Sequence, residues 1–221
     1  MVDPTKITNY NLDQQQLEEV VLFWVCAAGK NGVTAARSLD NLLSKWRCLG
    51  RSAFQIVRKL VAMHDLPQEM KLAGIGCYNN KAKTFNALAH SGLNLKDCSL
   101  DCLESIPGIG PKTARCFLLH SRPNQQYAGL DTHILSFMRD CGISAPRSTP
   151  SGKKYRNLEN QFLQIVKMSK KTVADLDLII WNVYSGRSVD KFDIELLEKL
   201  KIDYHQRMIQ NVESNCSLVS E

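Results

Sequence analysis

A Pro-Gly-Ile-Gly-Pro break inside an apolar helical run constrains the fold of this chain more than any other feature. The run is LESIPGIGPKTARCFLL, residues 103–119. Pro107 cannot continue the helix before it, because proline has no amide donor and clashes with the preceding turn. Gly108 and Gly110 adopt backbone dihedrals that other residues resist, and Pro111 suits the first turn of a new helix. The stretch therefore predicts two helices joined by a tight hairpin.

The hairpin has the physical features of a phosphate site. Its glycines leave main-chain N–H groups bare, and the second helix opens with unpaired N–H groups and the positive end of its dipole. Such a site positions a nucleic-acid backbone without reading its sequence. The turn alone is equally consistent with a plain helix–helix connection. Lys112, directly after the hairpin, and Asp131, nineteen residues later in GLDTHIL, favour the phosphate site, and Asp131 is also a predicted helix N-cap.

Helical periodicity dominates the rest of the chain, and no alternating strand pattern of convincing length is present. We therefore predict an all-α fold. Predicted helices cover residues 13–28, 33–47, 51–63, 79–90, 97–105, 111–121, 131–141, 155–168, 172–185 and 190–212. Residues 143–154 are predicted to be the clearest loop. The last helix is amphipathic and offers Ile194, Leu197, Leu200 and Ile202 for packing.

Composition narrows the class of protein. The chain has 221 residues, enough for one large domain or two small lobes, and its longest clean apolar run, VVLFWV, is far short of a membrane span. The N-terminus lacks the pattern of a signal peptide, so we expect a soluble, cytoplasmic protein, nucleoid-associated if the source is prokaryotic. A net charge of +6 permits an anionic partner without establishing one.

The eight cysteines do not have metal-site spacing. None of them forms a CxxC pair, and most lie in apolar helical segments. We interpret them as small hydrophobic side chains in a reducing compartment.

Three segments together resemble the helix-hairpin-helix DNA glycosylase superfamily, the family of endonuclease III and 8-oxoguanine DNA glycosylase. PGIGPKTA, followed by a short helix and a loop into LDTHI, resembles the family's hairpin and later aspartate. IGCYNNKAKTFNALA (75–89) resembles its aromatic-Asn-x-Lys-Ala segment, and DLIIWNVYSGR (177–187) its last core helix. The resemblance covers about residues 13–187.

The resemblance implies a two-lobed helical fold with the active site and the DNA-binding hairpin at the cleft between the lobes. The implied core is residues 1–187. Its hairpin lobe covers about residues 30–130, and its other lobe combines the N-terminal helix with residues 131–187. Residues 188–221 would form the C-terminal amphipathic helix and a flexible tail.

The residue at the position of Lys112 decides the chemistry within this superfamily. In the family that this chain resembles, members with lysine at this position are bifunctional: they remove a base and then nick the strand. The resemblance thus implies a DNA glycosylase/AP lyase of base-excision repair, acting as a monomer on double-stranded DNA that carries a damaged or modified base. The Lys112–Asp131 interval favours the 8-oxoguanine branch. Oxidised pyrimidines, other modified bases, a monofunctional glycosylase and a non-catalytic DNA-binding module are the alternatives.

Lys112 and Asp131 are the expected catalytic residues. An amine must be neutral to attack, and both a helix N-terminus and burial against DNA disfavour the ammonium form. The family's mechanism would use Lys112 to attack C1′ of the deoxyribose and form a Schiff base. Asp131 would stabilise the positive charge that develops on the sugar ring.

Further DNA contacts are expected by position in the family. Asn31 and Tyr78 would fill the gap left by an extruded base, Arg115 would meet a phosphate, and His133 would support the loop around Asp131. Asn31 is equally suited to a turn and Tyr78 to packing.

The expected base pocket and ion site have bland alternatives. Trp181 and Tyr184 would line the base pocket, although their spacing also suits a helical core. The main-chain carbonyls of Glu104, Ile106 and Ile109 would hold a monovalent cation such as Na⁺ or K⁺. No other cofactor is expected.

An iron–sulfur cluster of the endonuclease III type is excluded by cysteine count. Only Cys216 lies beyond Cys141, so four ligands after the core are not available.

Overall fold

The computed structural model describes residues 2–217, with side chains up to residue 210. Helices joined by turns and loops make up that range. The described part of the chain contains no strand, which confirms the predicted all-α class. Its α-helices are Gln14–Ala27 (α1), Gly32–Lys45 (α2), Ala53–Ala62 (α3), Leu66–Leu72 (α4), Tyr78–His90 (α5), Leu100–Glu104 (α6), Pro111–Ser121 (α7), Thr132–Asp140 (α8), Gly152–Ser169 (α9), Val173–Tyr184 (α10) and Lys191–Ser217 (α11). A 3-10 turn covers Arg47–Leu49.

Four elements differ from the sequence prediction. Helix α11 ends at Ser217, beyond the predicted end at residue 212. Helix α4 was not predicted, because its seven residues bury only Leu66 and Met70, too short a pattern to show helical periodicity. Helix α9 begins at Gly152, inside the predicted loop 143–154. Helix α6 covers only Leu100–Glu104 of the predicted 97–105, and the Ser99 side chain caps its start.

Residues up to Gln125 form one compact unit that contains α1 to α7. Helix α1 packs against α2, α3, α5 and α7. The family resemblance had implied a lobe that combines the N-terminal helix with residues 131–187. Instead the whole stretch from Val20 to Cys26 is buried, so α1 is apolar on all sides and forms the centre of this unit.

Residues from Gln126 onward form the second compact unit, with α8 to α11. Helix α11 packs on α9 and α10 through the buried side chains of Leu197, Leu200 and Tyr204. Ile194 and Ile202, also offered for packing by the sequence, stay exposed. The end of the predicted flexible tail, residues 218–221, lies outside the described residues.

The cysteines fall into two groups. Cys26, Cys98, Cys116 and Cys141 are buried, as expected for small apolar side chains, whereas Cys48, Cys77 and Cys102 are exposed. Burial raises the pKa of the Cys26 and Cys141 thiols to about 12. Cys216 lies beyond the described side chains.

None of the helices within residues 2–217 is both long and apolar enough to cross a lipid bilayer.

A buried lysine closes the C-terminal end of α1. Lys81, on α5, is 8% exposed, and its Nζ donates hydrogen bonds to the carbonyls of Cys26 (2.8 Å) and Ala28 (3.1 Å). These carbonyls have no partner within the helix, so the ammonium satisfies them and complements the negative end of the dipole. The Lys-Ala pair of the NxKA segment is thus a structural feature of this unit.

Lys81→Met is expected to lower the free energy of unfolding by about 1–3 kcal/mol, because it leaves the buried Cys26 carbonyl without its donor. Burial lowers the pKa of Lys81 below its ordinary value of 10.5. The folded chain therefore releases this proton at a lower pH than the unfolded chain does. The wild type should gain stability over the variant as pH rises from the folded pKa towards 10.5.

Urea denaturation at neutral and alkaline pH measures both effects. Lys83→Met, at an exposed position of the same helix, is the matched control and should change stability little. Equal unfolding curves for Lys81→Met and Lys83→Met would contradict the role given to Lys81.

Candidate nucleic-acid interface

The hairpin, defined here as residues 105–110, joins α6 to α7 as the sequence predicted. Gly108 has φ +88°, a left-handed conformation that favours glycine. The Ile109 N–H donates to the Ile106 carbonyl over 3.0 Å, and both isoleucine side chains are buried. The turn is thereby anchored to the unit while its glycines stay at the surface.

A second constraint at Gly108 comes from α5. A Cβ added to Gly108 would lie 2.0 Å from Oγ1 and 3.2 Å from Cβ of Thr84. Thr84 is buried on α5, and its hydroxyl donates to the Asn80 carbonyl. The hairpin therefore approaches α5 more closely than any residue with a side chain allows.

Helix α7 begins directly after the hairpin, with Gly110 as its N-cap and Pro111 in its first turn. Glycine has no capping side chain, and proline has no N–H to satisfy. No N-cap side chain therefore covers the main-chain amides at the positive end of this helix. This geometry suits an anion such as a backbone phosphate.

Lys112 is half-buried at the second position of α7, where its ammonium faces an aromatic ring. Its Nζ lies 4.8 Å from the ring centroid of Trp24. Trp24 in turn stacks on His120, with centroids 5.5 Å apart and 18° between the planes. His120 is fully buried and one ring nitrogen shares a 2.7 Å hydrogen bond with the Thr8 hydroxyl. The lysine is thus held in a defined aromatic setting rather than in open solvent.

Trp24 also carries a polar group of interest. Its Nε1 is buried and has no hydrogen-bond partner among the described residues. Buried donors of this kind are rare and call for an explanation. The donor lies on the ring that faces the Lys112 ammonium, so the unpaired group is next to the candidate nucleophile.

Asp131 is the N-cap of α8, as predicted. Its Oδ1 accepts hydrogen bonds from the amides of His133 and Ile134, each over 2.9 Å. His133 itself is half-buried. Lys112 belongs to the first compact unit and Asp131 to the second.

The segment that leads into Asp131 is held by α9. The Tyr155 hydroxyl donates to the Ala128 carbonyl (2.6 Å) and accepts from the Leu130 amide (3.1 Å). Glu159 Oε1 accepts from the Ala128 amide over 2.9 Å. These buried hydrogen bonds fix the main chain just before Asp131, and so they fix the position from which the Asp131 side chain extends.

Arg115 lies within the hairpin structure. It is buried, forms an ion pair with Glu104 and donates to the Pro111 carbonyl over 3.3 Å. The pair joins the last residue of α6 to the middle of α7, on either side of the hairpin. Its observed contacts are structural, and the phosphate contact expected for Arg115 stays a prediction.

The expected ion site uses main-chain oxygens of the same turn. Of the three carbonyls, that of Ile106 accepts the Ile109 amide and keeps a second lone pair. Carbonyl oxygens suit hard cations, and the monovalent ion expected at Glu104, Ile106 and Ile109 stays a prediction. Within the described residues, no group of three His, Cys, Asp or Glu side chains is placed to hold a metal ion.

The two expected gap-filling residues open helices. Asn31 is the N-cap of α2, and its Oδ1 accepts from the Val33 (2.9 Å) and Thr34 (3.4 Å) amides. Tyr78 is the first residue of α5, preceded by Cys77 at φ +52°, and the Lys71 ammonium lies 5.9 Å from its ring. Both lie at helix starts, and their contacts with DNA stay predictions.

Trp181 and Tyr184, the expected base-pocket residues, have different surroundings on α10. The Arg187 guanidinium lies 4.2 Å from the Trp181 ring. The Tyr184 hydroxyl donates to the Asp140 carboxylate, and Lys201 of α11 lies 5.7 Å from the ring. Burial, followed by the hydrogen bond to Asp140, raises the pKa of Tyr184. Tyr184 therefore connects α8, α10 and α11, while Trp181 keeps a stacked cation and a half-exposed face.

Residues 93–120 match the family model of the helix-hairpin-helix motif. The matched stretch includes α6, the hairpin, Lys112 and nearly all of α7. No solved structure matches this chain. The hairpin is thus a helix-hairpin-helix motif, which indicates DNA binding.

Proposed function

We propose that this protein is a bifunctional DNA glycosylase/AP lyase that removes a damaged base, preferentially an oxidised purine such as 8-oxoguanine. One observation carries the proposal: a half-buried lysine follows the DNA-binding hairpin at the second position of α7, against an aromatic ring. A hairpin that only binds backbone phosphate has no need of a lysine held in this way. Surface lysines that meet phosphates extend into solvent instead.

The hairpin supplies DNA binding. The main-chain N–H groups at the start of α7 and of the hairpin glycines donate hydrogen bonds to a backbone phosphate. This contact sets the register of the duplex on this unit without selecting a sequence. Extrusion of the target nucleotide then brings its sugar to Lys112. Asn31 and Tyr78 are the residues we propose to occupy the gap.

Lys112 supplies the nucleophile. Its neutral Nζ forms a bond to C1′, and the N-glycosidic bond breaks with its electron pair leaving on the base, which takes up a proton. The amine then loses a proton, and the C1′–O4′ bond breaks with its electron pair going to O4′, which takes up a proton, so that an iminium forms between Nζ and C1′. A proton then leaves C2′, and the C3′–O bond breaks with its electrons going to the phosphate. The strand is thereby nicked on the 3′ side.

Asp131 supplies charge. Its carboxylate is fixed by two amide hydrogen bonds and by the segment that Tyr155 and Glu159 hold. We propose that it stabilises the positive charge on the sugar ring while the glycosidic bond breaks. The half-exposed Trp181 ring is the proposed stacking surface for the extruded base, with Tyr184 fixing its helix.

Borohydride trapping with the wild-type protein tests the proposal. Duplexes that carry 8-oxoguanine, thymine glycol, uracil or an abasic site are incubated with the protein and reduced. The adduct is then mapped by peptide mass spectrometry. We expect an adduct on Lys112 and a nick with 8-oxoguanine and abasic duplexes.

Two results would contradict parts of the proposal. Salt-sensitive binding without any adduct or nick would leave a DNA-binding module. Adducts with thymine glycol but not with 8-oxoguanine would remove the purine preference and keep the enzyme class.

A further inference from the structure

A basic cavity lies at the start of α3, in the first unit. Its volume is about 660 Å³, and four cationic side chains line it: Arg47, Arg51, Arg58 and Lys59. None of the residues that line the cavity is a carboxylate. A cavity of this size falls in the range of ligand sites, and its charge selects an anion.

The turn that carries two of the arginines is built rigidly. Gln55 Oε1 accepts from the amides of Arg51 (2.9 Å) and Ser52 (3.3 Å), and the Ser52 hydroxyl accepts from the Gln55 amide. A Cβ on Gly50 would lie 2.7 Å from the Cβ of Gln55, so the turn packs tightly on α3. The cavity wall is therefore preorganised before any ligand arrives.

Two of the four cations are held in place and two are free to adjust. Arg47 pairs with Glu19 over 2.5 Å, and Arg58 donates to the Ala89 carbonyl over 2.6 Å. Arg51 and Lys59 are exposed at either end of the row. Gln55, Arg58 and Lys59 share one face of α3 at i, i+3 and i+4 spacing, and Arg51 lies two residues before the start of that helix. The helix rises about 9 Å from Ala53 to Lys59.

A linear row of cations suits a chain of phosphates better than one small anion. A nucleic-acid strand places a phosphate about every 3.4 Å along its axis, so four cations spread along a wall that includes about 9 Å of helix can meet more than one of them. We propose that this cavity is a second phosphate-binding site, separate from the hairpin, and that it binds the backbone of a nucleic acid. The inference rests on the DNA-binding part of the proposed function.

Salt-dependent duplex binding tests the site. Arg51→Gln/Lys59→Gln removes two cations of the cavity and leaves Arg47 and Arg58, which Glu19 and the Ala89 carbonyl hold. The control Lys167→Gln/Lys199→Gln removes two exposed charges from the other unit. Each lost phosphate contact lowers the slope of log K against log salt by about 0.9. We expect the cavity variant to lose a slope of about 1.8 and to weaken binding on the order of tenfold, equally for damaged and undamaged duplexes. The control should match the wild type.

The outcomes separate this inference from the proposed function. A slope and affinity that match the control overturn the second site while DNA binding stands. A wild type that fails to bind duplex at low salt overturns both. Loss of lyase activity in a Lys112 variant with an unchanged slope bears only on the proposed function.

Cys48 gives a direct reporter, because it is exposed and lines the cavity. Its alkylation by iodoacetamide, followed by mass spectrometry, should slow several-fold when duplex is bound. Protection by tripolyphosphate but not by duplex would make the ligand a free polyphosphate and overturn the nucleic-acid assignment.

Discussion

Lys112→Gln is expected to abolish covalent trapping and strand nicking, with a loss on the order of 10³-fold or more, as for other removed nucleophiles. Glutamine keeps the length of the stem and removes the amine. Lys112→Arg is the sharper partner variant, because it keeps a cation against Trp24 without a usable nucleophile. It should bind duplex like the wild type and trap nothing. Full trapping by either variant would contradict the assignment of Lys112.

Asp131 separates a chemical role from a capping role through two substitutions. Asparagine caps a helix as well as aspartate does, whereas alanine does not. Asp131→Asn should therefore keep the thermal stability of the protein and lose base excision by on the order of 10²–10³-fold, through the missing charge. Asp131→Ala should also lose about 1 kcal/mol of stability. Excision kinetics and thermal melts on both variants measure the two roles, and an Asp131→Asn protein that excises normally would leave capping as the function of this residue.

Gly108→Ala is expected to have the largest effect on stability, lowering the free energy of unfolding by about 2–4 kcal/mol. Two costs add. A φ of +88° strains any residue with a Cβ, and that Cβ would overlap the Thr84 hydroxyl. Because the same turn forms the phosphate site, duplex affinity should fall as well.

A double variant separates the two costs at Gly108. Thr84→Ala/Gly108→Ala removes the overlap and should recover part of the lost stability, leaving about 1–2 kcal/mol of backbone strain. Gly110→Ala is the matched control, because its φ is −91° and a Cβ there meets nothing within 4 Å. It should cost no more than about 1 kcal/mol as a poorer N-cap. Urea denaturation of the four proteins decides the matter, and equal losses at Gly108 and Gly110 would contradict the steric argument.

Local punctuation in the sequence was enough to predict the hairpin. Proline and glycine fix backbone geometry through their own covalent structure, so the bounds of α7, 111–121, were predicted as observed. The same local logic predicted Asp131 as an N-cap. The Arg115–Glu104 pair was within reach of sequence reasoning, since the two residues flank a predicted hairpin, but charge on a helix defaults to solvent.

Features that depend on packing between distant segments were not predictable in this way. Trp24 and His120 are separated by most of the first unit, and nothing in the periodicity of α1 indicates that its tryptophan lies against Lys112. The burial of every residue from Val20 to Cys26, through which α1 packs in the first unit, is likewise a property of packing between segments. Tyr155 and Glu159 hold the segment before Asp131 through bonds that span about 25 residues or more.

The dependence of the second unit on α11 has a consequence for synthesis of the chain. Leu197, Leu200 and Tyr204 complete the burial of α9 and α10, so this unit cannot close until residues up to Tyr204 have left the ribosome. The first unit ends at Gln125 and can fold while translation continues. In the nascent chain, the hairpin and Lys112 can therefore be folded before the unit that contains Asp131 is packed. The DNA-binding motif can thus fold during synthesis of the second unit, whereas the proposed strand cleavage requires α11 to have packed on α9 and α10.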